Sequence, residues 1–274
     1  LVVASSPSDL QRVAGLTKVL GPYDGRLANG GGSVALKTVH GDTLFRMEYR
    51  TSAPWPITPD GAGHSLVLAR PSYGPSDPRA WMPSRRVGGT PGGPEVLGGR
   101  PLDGLVINEF LAHTDDPQLD FIELFNTTNA ELDLVGCVLT DSISTNRFRF
   151  PAGARIPARG HLSLDQNQLG FGLSAAGETI YLVDPTGERV LDALRFGPQE
   201  NGVSSGRQPD GAAEVRRLAQ VTPGAANATW RPESIVISEL MHNPISGSDA
   251  DEYLELFNRT GDRKSTRLNS SHRT

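Results

Sequence analysis

Short apolar runs separated by turn residues recur along most of this chain, and their length indicates β-strands rather than helices. The middle of the chain carries the clearest set, with Gly, Pro, Asn and Asp clustered between the runs. The runs are VINEFLA (106–112), DFIELFN (120–126), ELDLVGCVLTD (131–141), FRFP (148–151), HLSL (161–164), TIYLVD (179–184) and RVLDALRF (189–196). Strands of this length and spacing predict an all-β fold built as an immunoglobulin-like β-sandwich.

One run also indicates which side chains face the core. In FRFP, Phe148 and Phe150 lie two positions apart and alternate with Arg147 and Arg149. Successive side chains of a strand point to opposite faces of the sheet. We therefore expect a half-buried strand, with the two aromatic rings turned inward and the two guanidinium groups turned outward.

Two stretches of the chain are nearly the same. Residues 106–128 read VINEFLAHTDDPQLDFIELFNTT, and residues 236–260 read VISELMHNPISGSDADEYLELFNRT. Each consists of a strand-like run, an acidic loop, a second strand-like run and an Asn. Repetition at such a long period predicts an array of similar domains.

Residues 1–93 match the later part of the central pattern. The matching segments are 27–44 with 173–190 at an offset of 146, PDGAGHS (59–65) with PDGAAEV (209–215), and TPGG (90–93) with TPGA (222–225). TLFRMEY (43–49) alternates cleanly, which places Phe45, Met47 and Tyr49 on one face. SPSDLQRVAGL (6–16) departs from the pattern, because Ser8 and Gln11 have capping-box spacing and predict a short helix.

These matches lead us to expect related domains in tandem, joined by Gly- and Pro-rich linkers. The expected ranges are 1–93 for a domain truncated at its N-terminus, 94–103 for a linker, 104–227 for a complete domain, 228–234 for a second linker and 235–261 for the opening strands of a third domain. Residues 262–272 read DRKSTRLNSSH, which resembles the translation of a sequencing adapter. We interpret 262–274 as an adapter-derived artefact.

Composition narrows the function classes. The 274 residues include 31 Gly and 21 Pro, and no apolar run is long enough to span a membrane. Cys137 is the single cysteine, so an internal disulfide is impossible, and its apolar flanks predict a buried, inert thiol. Without 262–274 the chain has 22 basic and 30 acidic residues. That balance lacks the basic footprint of a nucleic-acid-binding protein, so we do not expect such a partner.

The order of several motifs resembles the lamin-tail domain family, in its tandem bacterial extracellular type. The motifs are VINEF, DFIELFN, LVGCVLTD, FRFPAGARIPARGHLSL, PDGAGHS, APWP (53–56), DPRAW (77–81) and the TPG endings. The resemblance implies immunoglobulin-like sandwiches in a secreted or surface protein. Some proteins of this type also carry a spore-coat-type kinase domain, and no kinase motif is visible in this sequence.

The acidic loops offer a candidate metal site. Asp115, Asp116 and Asp120 lie between the first two central strands, and Asp249, Asp251 and Glu252 occupy the same place in the third repeat. Calcium binds several hard oxygen ligands on one loop. Because no DxDxDG pattern is present, we favour a solvated loop that protects a sheet edge, expect no cofactor, and keep calcium as the alternative.

Repeated glutamates offer a candidate acid–base pair. Glu109 and Glu123, and Glu239 and Glu255 in the third repeat, lie inside apolar runs. Adjacent strands could bring each pair together for acid–base chemistry. A carboxylate present in every repeat fits a structural role better, so we expect these groups to point outward or to pair with Arg on a neighbouring strand. We therefore assign no catalytic residue.

Other polar motifs carry little information. The scattered histidines form no zinc motif, although His113 and His242 occupy matching positions beside the acidic loops. Outside the adapter-like tail, three glycosylation triplets begin at Asn126, Asn227 and Asn258, and we interpret them as coincidental.

The leading functional hypothesis is a non-catalytic tandem β-sandwich module of a secreted or surface protein. It would act as a spacer, an adhesion domain or a docking domain, with an unidentified protein or polysaccharide as ligand. The alternative is an accessory region of an extracellular enzyme, kinase-like or hydrolase, whose catalytic domain lies outside 1–274. The family resemblance alone places the protein outside the cell or on its surface.

Overall fold

The computed structural model describes residues 1–95, 99 and 101–259. The fold is all-β, as predicted, and the chain forms two compact units that divide between Thr229 and Trp230. The adapter-like tail 262–274 and the last two residues of the expected third domain, 260–261, lie outside the described residues. No helix within the described ranges has the length and apolar character needed to cross a membrane.

The centre of the first unit is a sandwich of two antiparallel sheets. Its strands are β5 (Leu105–Leu111), β6 (Phe121–Asn126), β7 (Leu132–Asp133), β8 (Val138–Ser142), β9 (Thr145–Arg149), β10 (Arg155–Ile156), β11 (His161–Asp165), β12 (Glu178–Val183), β13 (Val190–Phe196), β14 (Ser205–Arg207) and β15 (Val215–Arg217). One sheet has the order β11-β6-β5-β14-β15, and the other has the order β13-β12-β8-β9. The short strands β7 and β10 pair separately, and helix α2 (Gln166–Leu169) follows β11.

The core lies between these two sheets. Ile122 and Leu124 reach it from the first sheet, and Leu139 and Leu182 reach it from the second. All four side chains are fully buried. Cys137 belongs to the same core, and burial raises the pKa of its thiol to about 11. The predicted buried thiol is confirmed, and this thiol stays protonated at neutral pH.

The predicted alternation at the edge of the second sheet is confirmed. Phe148 is half-buried and Phe150 is buried, whereas Arg147 and Arg149 are exposed. The two aromatic rings meet edge to face, with centroids 5.1 Å apart. This geometry is one that aromatic pairs prefer.

A β-bulge sets the phase of strand β5. The pairing of β5 with β6 shifts between Ile107 and Glu109, so Asn108 is the extra residue. As a result, Ile107 and Phe110 both contribute to the core although three positions separate them. Glu109 lies directly opposite Glu123 on β6, on the face of the sheet away from this core.

The N-terminal segment, residues 1–95, begins with helix α1 (Pro7–Ala14), which confirms the predicted short helix. The predicted capping box is wrong, because Ser6 and not Ser8 is the N-cap residue. Pro7 occupies the first helical turn, where its missing N–H costs nothing, and this begins the helix before Ser8. The Ser6 hydroxyl donates a hydrogen bond to Asp9 over 2.7 Å instead of capping the backbone.

Two hairpins complete the N-terminal segment. They are formed by β1 (Gly31–Lys37) with β2 (Thr43–Arg50), and by β3 (Leu66–Leu68) with β4 (Trp81–Pro83). The first has a bulge between Leu36 and Lys37, and the β12–β13 hairpin has one between Leu182 and Val183. The two bulges are separated by the same offset of 146 that relates the sequences. Between β3 and β4, two short 3-10 helices span Pro71–Tyr73 and Pro78–Ala80.

The described part of the second unit, residues 230–259, contains a hairpin of β16 (Ile235–Met241) with β17 (Tyr253–Asn258) and a 3-10 helix at Asp249–Asp251. Its pairing shifts between Ile237 and Glu239, and Glu239 lies opposite Glu255. This register repeats that of β5 and β6, so the sequence repeat is also a repeat of strand pairing. The expected boundaries of tandem domains stay a prediction.

Candidate functional site

The two central glutamates form a buried carboxylate pair. Glu109 and Glu123 are directly opposed across β5 and β6, and both are fully buried. The expectation that they point outward to solvent or pair with Arg is wrong. They do lie on the face of the sheet away from the main core, but a later part of the chain covers that face.

The cover is the closing segment, residues 221–227. Thr222 donates two hydrogen bonds to Glu109, from its backbone N–H to Oε1 over 3.0 Å and from its hydroxyl to Oε2 over 2.8 Å. The backbone N–H of Gly224 donates to Glu123 Oε2 over 2.6 Å. Each glutamate therefore holds one residue of the TPG sequence. Hydrogen bonds to charged acceptors are the stronger class, so these contacts anchor the segment to the sheet.

A second group of polar residues fixes the carboxylate pair from the side. The Asn108 amide donates to Glu123 Oε1 over 3.2 Å and to Asp210 Oδ1 over 3.0 Å. Asp210 also accepts from the backbone N–H of Asn227, and its other oxygen lies 3.2 Å from His161 Nε2. Asp210 was not singled out from the sequence, although it lies in one of the two matched PDG segments.

Asn227 ends the closing segment by linking two strands. Its side-chain amide donates to the carbonyl oxygens of Asn108 and Arg207, over 3.1 and 2.7 Å. Gly206 makes room for this amide, since a Cβ there would lie 2.6 Å from the Asn227 nitrogen and 2.9 Å from the Asn108 oxygen. Asn227 is therefore a structural link between β5 and β14.

The electrostatics of the pair favour one proton. Burial raises the pKa of Glu123 to about 7, and the neighbouring Glu109 adds to this rise. The hydrogen bonds from Gly224 and Asn108 act in the opposite direction but do not cancel it. Two like charges on opposed strands repel, so a proton on Glu123 relieves the pair. Because neither carboxylate reaches solvent, this titration acts on the fold rather than on a bound substrate.

An ion pair that the sequence did not indicate holds the bulge. Arg207 and Asp192 approach to 3.1 Å, and Asp192 accepts the Ile107 N–H over 2.8 Å. Arg207 Nε returns a hydrogen bond to the Ile107 carbonyl over 2.7 Å. Burial raises the pKa of Asp192, and the nearby guanidinium opposes that rise. The carboxylate that pairs with Arg across strands is thus Asp192, not a glutamate of the repeated pair.

The N-terminal segment contains a smaller version of the same contact. The hydroxyl of Thr90, in its own TPG sequence, donates to Glu95 Oε2 over 2.7 Å. The other oxygen of Glu95 accepts the Arg85 N–H over 2.7 Å. Both TPG sequences of the first unit therefore bind a carboxylate through their Thr.

The first acidic loop does not gather its three carboxylates on one point. Asp120 is buried and accepts hydrogen bonds from the Thr114 hydroxyl and the Leu173 N–H, both over 2.9 Å. Asp115 accepts a hydrogen bond from the Asn201 amide, and Asp116 is exposed. Asp120 thus supports the start of the loop from inside the domain.

The second acidic loop lies in the 3-10 helix of the other unit. Asp249 and Asp251 are exposed, and Asp251 accepts a hydrogen bond from Ser246. Within 1–95, 99 and 101–259, no three His, Cys, Asp or Glu side chains are placed to hold one metal ion. Our preference for solvated loops, with calcium binding as the alternative, stays a prediction for a measurement to decide.

Two of the three glycosylation triplets have buried asparagines. Asn126 is fully buried, and its amide donates to the carbonyl oxygens of Ala130 and Pro157 over 2.7 and 2.8 Å. Asn227 is committed to the closing segment as described above. Both side chains serve the fold, and a folded sandwich offers neither of them to a modifying enzyme.

Comparison with known families agrees with this architecture. The model of the family described as Lamin Tail Domain matches residues 100–197. The match covers β5 to β13, and this part of the chain is similar to that family of non-enzymatic, immunoglobulin-like domains. No curated protein matches the chain. The predicted immunoglobulin-like sandwich is therefore confirmed. The non-enzymatic character of the matched family agrees with carboxylates that are used to hold the fold.

Proposed function

We propose that this chain is an array of non-catalytic β-sandwich modules that carries mechanical tension in a secreted or surface-attached bacterial protein. It acts as a spacer that presents its loops to a protein or polysaccharide ligand. The observation that carries the proposal is the use of the buried carboxylate pair. Glu109 and Glu123, the groups best suited to acid–base chemistry, are both engaged by the closing segment.

The closing segment also suits the chain to carry tension. It follows the last strand of the sandwich and is bonded back to the first two strands through Thr222, Gly224 and Asn227. Force applied along the chain after Asn227 acts on these bonds before it reaches the core. A module closed in this way keeps its loops in place while its ends are pulled, which a spacer requires.

Single-molecule stretching of the whole chain tests whether it carries mechanical tension. We expect a discrete rupture from the central sandwich, with a contour gain of about 0.36 nm for each released residue. The variant Thr222→Val should lower the rupture force, and Thr186→Val, which alters an exposed turn hydroxyl, should not. Unfolding without a discrete rupture would contradict the spacer role.

Recovery of the complete reading frame separates this proposal from the accessory-region alternative. A kinase-like or hydrolase domain encoded beside these modules would assign them to an enzyme. A reading frame of further sandwich modules with a surface anchor would support the spacer. Binding of the chain to an array of bacterial cell-wall polysaccharides, absent after denaturation, would identify the ligand class.

A further inference from the structure

His64 joins the N-terminal segment to the central sandwich through both of its ring nitrogens. Nδ1 lies 2.6 Å from the Ser84 carbonyl oxygen, and Nε2 lies 3.1 Å from the backbone nitrogen of Val190. A carbonyl only accepts and a backbone N–H only donates, so Nδ1 carries the proton and Nε2 accepts. The ring is therefore neutral and held in one tautomer.

The bond to Val190 crosses between two parts of the first unit. His64 and Ser84 belong to the N-terminal segment, and Val190 is the first residue of β13. His64 is only 6% exposed, and Ala62, two residues before it, packs against Tyr181 and Val190. The ring thus sits at the centre of this contact and not at its rim.

Two further contacts hold the segment near the same place. The Val87 N–H donates to the Glu188 carbonyl over 2.7 Å, just before β13. Arg195, further along β13, pairs with Asp60 over 3.0 Å. The Arg195 pair is partly exposed and contributes little on its own. The buried histidine is consequently the contact on which a change of charge has the largest effect.

Protonation would reverse the role of Nε2. A proton there turns the acceptor of the Val190 bond into a donor, so that two N–H groups face each other and a cation is buried. The charged groups around the ring are Arg189, which opposes its protonation, and Glu95 and Asp184, which favour it. Burial outweighs both carboxylates and lowers the pKa of His64. The ring therefore remains neutral while the segment is docked.

We propose that His64 is an acid-sensitive latch, whose protonation releases the N-terminal segment from the edge of the central sandwich. Because the docked ring has a lowered pKa, docking is fully stabilised above the ordinary value of 6.5 and weakens as pH falls below it. Glu123 has the opposite sign, since its raised pKa makes the sandwich more stable as pH falls through about 7. Mild acid thus weakens the docking of the N-terminal segment, whereas it stabilises the central sandwich.

Hydrogen exchange of the whole chain, followed at individual backbone amides, tests the latch. Between about pH 7.5 and about pH 5, and after correction for intrinsic rates, we expect the protection of the Val190 amide to fall about tenfold. Amides of β8 and β12 should keep their protection over the same range. In His64→Gln the Val190 amide should be poorly protected at both pH values. In the control His113→Gln, which alters a half-buried histidine in the loop after β5, the wild-type pH response should remain.

Two outcomes would overturn the latch. One is a Val190 amide that is protected equally at both pH values in the wild-type chain. The other is an identical loss of protection with pH in wild type and in His64→Gln. Nitrogen NMR of the wild-type imidazole avoids any folding defect of the variant. It should show the Nδ1-protonated tautomer at neutral pH, and a ring that becomes protonated only as Val190 loses protection.

Discussion

The hydroxyl of Thr90 donates to Glu95 as the hydroxyl of Thr222 donates to Glu109, although the two carboxylates come from unrelated positions. The hydroxyl-to-carboxylate distances are 2.7 Å and 2.8 Å. Glu109 belongs to a strand far away in the sequence, whereas Glu95 follows its Thr by five residues. The Thr of each TPG sequence therefore binds a carboxylate, whether that group comes from a distant strand or from the next few residues.

Removal of the Thr222 hydroxyl should destabilise the central sandwich. Thr222→Val keeps the shape of the side chain but leaves one oxygen of the buried Glu109 without this donor, and we expect a loss of about 1–3 kcal/mol. Thr222→Ser retains the hydroxyl and should cost less. Chemical denaturation followed by far-UV circular dichroism measures both. A loss of stability in Thr222→Ser with none in Thr222→Val would show that packing of the methyl group matters and the hydroxyl does not.

Glu123 should make the sandwich more stable as pH falls toward 5. Its pKa is about 7 in the folded state and near 4.5 when unfolded, so the folded state binds the extra proton in this window. Between about pH 8 and about pH 5 we expect a gain on the order of 2–3 kcal/mol from this group. Glu123→Gln, which resembles the protonated form, should flatten the dependence. A stability that falls over this range in wild type and variant alike would refute the assignment.

The aromatic pair at the end of β9 should show a graded response to truncation. Phe150 is 3% exposed and belongs to the core, so Phe150→Ala should cost about 3–5 kcal/mol. Phe148 is half-buried, and its truncation should cost less. Arg149→Ala should cost under about 1 kcal/mol, because the side chain is exposed. Thermal melts of the three variants give the order, and an Arg149 effect as large as that of Phe150 would invert the strand phase.

Asn227→Ala should loosen the end of the sandwich. The change removes donors to the carbonyl oxygens of Asn108 and Arg207, both in buried surroundings, and should cost about 2–4 kcal/mol. Asn258→Ala provides a matched change in the second unit and should leave the melting of the first unit as it is. Should Asn227→Ala melt like wild type, the closing segment would have to be held by the two glutamates alone.

Millimolar calcium should leave the melting temperature of the chain unchanged if the acidic loops are only solvated. Ligand linkage would raise the temperature if Asp115 and Asp116 bind the ion at such concentrations. The double variant Asp115→Asn with Asp116→Asn distinguishes the cases. A calcium-dependent rise that this variant abolishes would establish the metal site and reverse our preference.

The strands of the sandwich could be predicted because their signals are local. Apolar runs between turn residues located β5, β6 and β12, and alternation alone oriented Phe148 and Phe150. The burial of Glu109 could not be predicted in this way. Its partner Thr222 lies 113 positions away, and no periodicity within VINEF reports what covers that face. The sequence signal that could have indicated this contact is the repetition of TPG at 90–92 and 222–224. These turns contain no apolar run, so their repetition suggests polar contacts instead of core packing.

The N-cap of α1 shows a second limit. Ser8 and Gln11 satisfy the spacing of a capping box, but Ser6 followed by Pro7 offers an earlier start. Two competing local signals were present within one turn of helix. Sequence spacing gives no energy for choosing between them, and only the backbone conformation at Ser6 decides where the helix begins.

The bulge at Asn108 makes strand β5 sensitive to insertions and deletions, because one residue more or less reverses the faces on which the following side chains lie. Ile107 and Phe110 face the core only because one extra residue lies between them and resets the alternation. Loss of that single residue would turn Glu109 toward the apolar core of the sandwich and Phe110 toward the closing segment. The register shift at the corresponding place in β16 gives the same alternation of side chains around Glu239. A substitution at Asn108 alters the contacts of one side chain, whereas a change in the number of residues moves every following side chain of β5 to the opposite face of the sheet.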